Sequence, residues 1–152
     1  MMYNNLQNII PGFSKNGNLP PGIYEVPISS VIERFGGPSL KRVELSKFLV
    51  EFYREIKIYC ISIFIDGSFI TSKLLPGDID FLIVLKEDMF MNSLERGLIA
   101  GVLQKWRVIN PDIYAFPQRR EQGLILQYFC LFTHDKKSKK EKGIISIRID
   151  ND

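Results

Sequence analysis

The 152-residue sequence is poor in side chains that hold soft metals or form cross-links. It has two cysteines, Cys60 and Cys130, no Cys-x-x-Cys pair and a single histidine, His134. A thiolate zinc site is thereby excluded, because such sites draw on closely spaced Cys and His ligands. Both cysteines sit in apolar runs, which predicts buried, reduced thiols rather than a disulfide. His134 stands beside Asp135, but no serine or cysteine nucleophile accompanies the pair, so nucleophilic catalysis gains no support from it. Long hydrophobic runs are missing too. The longest are interrupted by Asp66, Asp78, Asp80 or Lys86, so no segment is expected to span a bilayer and no membrane partner is expected. Met1–Asn18 is polar and lacks the apolar centre of a secretion signal, and the expected location is the cytoplasm. There is no internal repeat and no heptad.

What is present is the composition of a folded domain: 45% hydrophobic and 24% charged residues, too apolar for a disordered chain. The length suits one domain. Residues 28–152 are expected to form it, with 1–27 as an N-terminal extended arm containing Leu19-Pro20-Pro21-Gly22. The net charge of +3 is unevenly placed, since Arg119–Lys142 holds seven basic and three acidic residues. Such a stretch can attract phosphates or simply form a solvated loop. Tyr128, Phe129 and Phe132 precede its lysines, a combination compatible with nucleic-acid contact, although aromatics this dense read more readily as a buried element.

The hydrophobic pattern predicts an α+β order. A short helix is expected over Ser30–Phe35, with Ser30 and Glu33 as a capping box, stopped by Gly36-Gly37-Pro38. A longer helix follows over about Ser39–Lys57, with Leu40, Val43, Phe48, Phe52 and Ile56 on its apolar stripe. Tyr59–Ile65 and Asp78–Leu85 read as strands, the second central because its middle is apolar on both faces. Asn92 or Ser93 caps a helix with Leu94, Leu98, Val102 and Trp106 on its stripe. Asp112–Phe116 is a short strand, Leu124–Phe132 is an apolar segment that could be strand or helix, and Gly143–Ile149 alternates like an edge or half-buried strand. Together these predict a mixed, twisted sheet of about four or five strands with helices packed against it.

The chemistry concentrates in Asp66-Gly67-Ser68-Phe69 and Pro76-Gly77-Asp78-Ile79-Asp80. Gly67 lets the backbone approach a ligand, Ser68 adds a hydroxyl, and a helical turn from Phe69 would offer free amides to a phosphate. Asp78 and Asp80 are two apart at the start of a strand, so both side chains leave on one side, with backbones about 7 Å apart. Such a pair repels unless a cation intervenes, and Mg²⁺ (or Mn²⁺) prefers carboxylates together with substrate phosphates. Asp112 opens another strand and could supply a third carboxylate across the roughly 4.8 Å between neighbouring strands. Three carboxylates could hold two metals, one activating an attacking oxygen and one neutralising a triphosphate.

In these residues the chain resembles the nucleotidyltransferases with the polymerase-beta-like fold: Gly67-Ser68, nine residues, Asp78-Ile79-Asp80, and later Asp112. The resemblance covers about residues 40–117. It implies that fold, a nucleoside triphosphate such as ATP as substrate, Asp78 and Asp80 as metal ligands, Asp112 as third ligand activating an acceptor hydroxyl, and Gly67-Ser68 holding the phosphates. The chain departs from many active relatives in having Thr71-Ser72-Lys73 where an arginine-bearing turn follows the Gly-Ser, which leaves Lys73 as the candidate phosphate cation. A closer resemblance is to a small group of uncharacterised prokaryotic nucleotidyltransferase-like proteins. It rests on Leu19-Pro20-Pro21-Gly22, the Asp66–Asp80 core, Phe132–Asp135 and Lys142-Gly143-Ile144-Ile145. That group is similar to minimal, antitoxin-like transferases, which implies either transfer to a hydroxyl on protein, RNA or a small molecule, or an inactive nucleotide-binding module of a toxin–antitoxin system. Lacking room for a helical lid, such a chain is expected to work as a homodimer or with a protein partner, through Leu19–Ile28 or Leu124–Phe132, unless both segments complete the core.

Overall fold

The computed structural model describes residues 6–150. Among them, six strands form one mixed sheet in the order β1-β2-β6-β3-β4-β5. The strands are β1 (Leu6–Gln7), β2 (Ile23–Val26), β3 (Cys60–Asp66), β4 (Asp80–Leu85), β5 (Ile113–Pro117) and β6 (Ile144–Ile147). β3 is antiparallel to both β4 and β6, while the pairs β1–β2, β2–β6 and β4–β5 are parallel. The extra strands beyond the expected four or five come from the N-terminal stretch. Residues 23–26 are a strand of the sheet, and Leu19, Tyr24 and Val26 are buried in its core.

Helices α1 (Ile28–Phe35), α2 (Leu40–Ile56), α3 (Glu87–Met91) and α4 (Ser93–Arg107) connect the strands. The capping box expected at Ser30 and Glu33 is not made. α1 starts two residues earlier, with Pro27 at its cap and the Ser30 amide already bonded to the Pro27 carbonyl. Ser39 does cap α2, its hydroxyl accepting from the Arg42 amide at 3.2 Å. Asn92 caps α4 through the amides of Leu94 and Glu95. The buried stripe of α4 is Ile99, Leu103 and Trp106, whereas Leu94 and Leu98, expected inside, are exposed. Leu40 of α2 is likewise exposed. The helical period of these positions thus continues beyond the part of each stripe that is buried. Phe48 and Phe52 of α2 meet Phe81 of β4 at ring separations of 5.9 and 5.1 Å, and Phe48 meets Trp106 of α4 at 5.6 Å.

The opposite face of the sheet is covered by α5 (Gln122–Phe132), which settles the undecided apolar segment as a helix. Ile125 and Phe132 pack on Phe64, Leu82, Val84 and Ile144. Because one helix covers this face, its outer side stays wet. Leu126 and Leu131 are exposed and so is Cys130, contrary to the expectation of two buried thiols. Cys60 is buried, its thiol donating to the Ile56 carbonyl. β6 is also not the edge or half-buried strand its alternation predicts. It lies between β2 and β3 with all four residues buried.

Candidate metal and phosphate site

The strand register assembles the site. Asp66 ends β3 and is paired with Asp80, which begins β4. Phe81 is paired with Ile113 in the parallel β4–β5 ladder, so Asp112, one residue earlier, lies beside Asp80, and its carbonyl accepts from the Phe81 amide at 2.9 Å. Alternation along the strands puts Asp66 on the face of Phe64, Asp80 on that of Leu82 and Asp112 on that of Tyr114, all on the α5 side. Asp78 precedes β4 rather than lying within it, yet its carboxylate joins the same group. Asp78, Asp80 and Asp112 each offer an oxygen within 4.8 Å of the others, and all three are half-buried.

Asn110 holds the two acidic segments together. Its buried side chain accepts from the Ile79 amide at 2.9 Å and donates to the Ile79 carbonyl at 2.7 Å. The amide thus extends the β-ladder by one step, fixing the residue between Asp78 and Asp80 against the loop that delivers Asp112. The sequence marks Asn110-Pro111 only as a chain break, and nothing in its pattern shows that the side chain turns inward.

Gly67 and Ser68 follow Asp66 directly. Gly67 has φ of +90°, and a Cβ there would lie 2.9 Å from an Asp80 carboxylate oxygen, so glycine is required both by the backbone and by the space beside Asp80. A single 3₁₀ turn, Ser68–Ile70, comes next. The loop beyond it is pinned by Arg42, a buried residue of α2. Its guanidinium donates to the carbonyls of Phe35 (3.1 Å), Phe69 (2.6 Å), Thr71 (2.7 Å) and Lys73. Burial lowers the pKa of this guanidinium from its usual value. Lys73 is exposed and uses its backbone carbonyl, not its ammonium, in this contact.

The electrostatics of the cluster are those of crowded carboxylates. Burial, a hydrogen bond shared with Asp112 and that residue's charge push the Asp78 carboxyl up to about 6. Burial and the charges of Asp66, Asp78 and Asp112 push Asp80 up to about 6 as well. Asp66 is raised by burial, against which Lys142 acts: its ammonium lies 2.8 Å from the Asp66 carboxylate, with both side chains largely buried. Lys136 opposes the rise at Asp66, Asp78 and Asp80, and Lys41 does so at Asp78. Asp66, Lys142 and Lys136 were not singled out as site residues from the sequence. Asp66 could have been, since it abuts the Gly-Ser pair, whereas the lysines are distant in sequence and arrive through β6 pairing.

The remaining expectations fall elsewhere. The His134 ring nitrogen Nδ1 lies 2.8 Å from the Cys130 carbonyl at the end of α5. Tyr128 and Phe129 pack on the sheet, Tyr128 stacking on Tyr114 at 4.5 Å and Phe129 meeting Phe64 at 5.5 Å. Among the described residues no helix is long and apolar enough to cross a membrane.

A family described as a family of unknown function, DUF6932, matches residues 11–148, and the chain belongs to it. No curated protein and no solved structure was found to match the chain.

Proposed function

We propose that this member of the family binds a nucleoside triphosphate with a divalent cation and transfers its nucleoside monophosphate to a hydroxyl acceptor on protein, RNA or a small molecule, releasing pyrophosphate. The observation that carries the reading is the convergence of Asp78, Asp80 and Asp112 within 4.8 Å, beside a glycine whose conformation opens the approach. Three oxygen donors and no nitrogen or sulfur form a hard donor set, which fits Mg²⁺ or Mn²⁺. Burial first, and neighbouring carboxylates after it, raise the Asp78 and Asp80 carboxyls, and a bound cation would relieve both. Bound by these three residues, the metal would supply neutralisation of phosphate charge and an acidified acceptor hydroxyl.

The chain's own groups have separate tasks in this reading. Gly67 keeps the backbone clear of Asp80, so a phosphate can approach the turn, and the Ser68 hydroxyl donates to it. Asp112 takes the acceptor's proton as the acceptor oxygen bonds to the α-phosphorus and the bond to pyrophosphate breaks. Lys142 neutralises Asp66, so the fourth carboxylate does not add to the repulsion of the incoming phosphates. Incubation of the protein with α-labelled triphosphates, Mg²⁺ and lysate tests the reading. A labelled product that disappears with Asp80→Asn is expected, and no product with any of the four nucleotides overturns transfer.

A second reading is favoured by the exposed apolar residues of α5, Leu124, Leu126 and Leu131. They suit a catalytically inactive, antitoxin-like module that binds nucleotide and a protein partner, or a homodimer. Nucleotide binding without labelled product, together with a stable complex in light scattering, distinguishes it.

A further inference from the structure

The cleft between α1 and α2 shares no lining residue with the acidic cluster. It encloses about 350 Å³, at the lower end of the volumes that small-molecule sites offer. Ile32, Val43 and Val50 make its lining largely apolar, and Ser46 opens into it. Among the described residues the Ser46 hydroxyl is the one buried side-chain polar atom with no hydrogen-bond partner, on a residue only 6% exposed. A serine inside a helix commonly bonds back to the carbonyl four residues earlier, here that of Arg42, and this one does not. A buried hydroxyl left without a partner is unfavourable, so a ligand that supplies one gains by it. Across from it on α1 is Gly36, where a Cβ would lie 2.9 Å from the Ser46 hydroxyl oxygen. The Gly36 backbone, at φ of −78°, suits any residue, so what glycine provides here is room, beside the Ile32 carbonyl as well as the hydroxyl. Lys47, Glu51 and Arg54 also line the cleft. All three are exposed, and none makes a side-chain ion pair among the described residues. Four and three residues apart on one helix, they are neighbours with about 5–6 Å between Cβ atoms, in the order cation, anion, cation.

We propose that the α1–α2 cleft is a binding site for a free α-amino acid with a branched aliphatic side chain: leucine, isoleucine or valine. The apolar lining takes the side chain. The Ser46 hydroxyl and the Lys47 ammonium donate to the carboxylate, and Glu51, one turn on, accepts from the α-ammonium. Arg54 follows Glu51 and keeps the row from repelling an anion. Each other simple occupant leaves something uncompensated. A hydrocarbon leaves the Ser46 hydroxyl unpaired. A monocarboxylate or a phosphate brings Glu51 no positive group, and an amine alone faces Lys47 and Arg54. Only a ligand with both charges beside an apolar body meets the hydroxyl, the row of charges and the lining together. The site stands independently of the nucleotide reading of the acidic cluster.

The test is titration calorimetry of the full chain with leucine, isoleucine, valine and glycine, and with 4-methylpentanoate and 3-methylbutylamine, which each carry one of the two charges. At least one of the branched amino acids should bind saturably. Glycine should not, and the two singly charged analogues should be weaker by roughly tenfold or more, the scale of one charge-assisted hydrogen bond. Ser46→Ala should weaken the amino acid by roughly tenfold and leave the melting temperature no lower than wild type, because it removes a group that has no partner in the free protein. Glu51→Gln, an exposed change that spares the fold, should weaken the amino acid by roughly tenfold and leave 4-methylpentanoate no weaker than in wild type. Glu44→Gln, exposed on α2 outside the cleft, should stay within about twofold of wild type. Absence of binding by all three branched amino acids overturns the proposal. So does 4-methylpentanoate binding as well as leucine, which would make the ligand a simple carboxylate. Unchanged affinity in both Ser46→Ala and Glu51→Gln would place the amino acid elsewhere and overturn it too.

Discussion

Asp78 and Asp80 carry charge where charge is unwelcome, and the apo protein should register this. Their carboxyls stand at about 6 in the fold, above the ordinary value near 4 in an unfolded chain. Between those limits the unfolded chain has released more protons than the native one, so stability falls as pH rises from about 4 to about 6. In chelator, the melting temperature of wild type should fall relative to that of Asp80→Asn over this window. Mg²⁺ should recover the loss at pH 7 in wild type and not in the variant. A difference that does not change with pH would show that the crowding is relieved without a cation. Gly67 acts at the same scale. Gly67→Ala places a methyl 2.9 Å from an Asp80 oxygen in a backbone region that penalises it, so metal or nucleotide affinity should drop by more than tenfold, read by calorimetry. Asn110→Ala leaves the Ile79 amide and carbonyl unpaired in a buried place and should cost about 2–4 kcal/mol in denaturant unfolding.

The elements explain why these residues meet. β3, β4 and β5 bring their acidic ends to one end of the sheet because β3 runs antiparallel to β4 and β5 runs parallel to it. α2 supplies Arg42, which holds the Ser68–Lys73 loop through the carbonyls of Phe69, Thr71 and Lys73 and so links a core helix to the proposed phosphate turn. Arg42→Met keeps volume but removes every donor. It should lower stability by about 3 kcal/mol and weaken nucleotide binding more than metal binding, since the loop but not the aspartates is released. α5 is a single layer over its face of the sheet. A thiol reagent should therefore modify Cys130 in the native protein at the rate of an open thiol, while Cys60, buried and with its thiol pushed far up by burial, reacts only on unfolding. Modification of both at equal rates would contradict this packing.

At the scale of the whole molecule, helices α1–α4 back one face of the sheet and α5 the other, and the acidic cluster opens at the end of the sheet on the thinner side. The exposed Leu124, Leu126 and Leu131 extend that side outward. If α5 carries a partner or a second copy, Leu131→Lys should abolish the complex in light scattering and leave the melting temperature within a few degrees of wild type. Loss of the fold instead would mean that the residue serves the core. Ile145, fully buried in central β6, is the contrasting position: Ile145→Ala should cost about 2–5 kcal/mol and destabilise the whole sheet, since β6 joins its N-terminal and central strands.

The sequence by itself determined the elements whose signals are local. Asn92 caps where its side-chain oxygen accepts from first-turn amides, the apolar run of Phe81–Leu85 marks a central strand, and the spacing of Asp78, Asp80 and Asp112 identifies the carboxylates that converge. Each of these rests on a few neighbouring residues and a fixed backbone period. What only the tertiary structure decided depends on partners far along the chain. β6 alternates like an edge strand but is central because residues 23–26 return to pair with it. Leu94 and Leu98 keep a helical period but stay exposed, outside the stripe that packs on the core. Asp66 and Lys142 meet because β6 carries the C-terminal turn back to the end of β3, and Asn110 and Arg42 turn inward to satisfy backbone groups that only the folded sheet and loop leave unpaired. Local pattern is set by periodicity and steric preference, whereas burial and charge pairing are set by which surfaces meet, and no spacing in a single chain encodes that meeting.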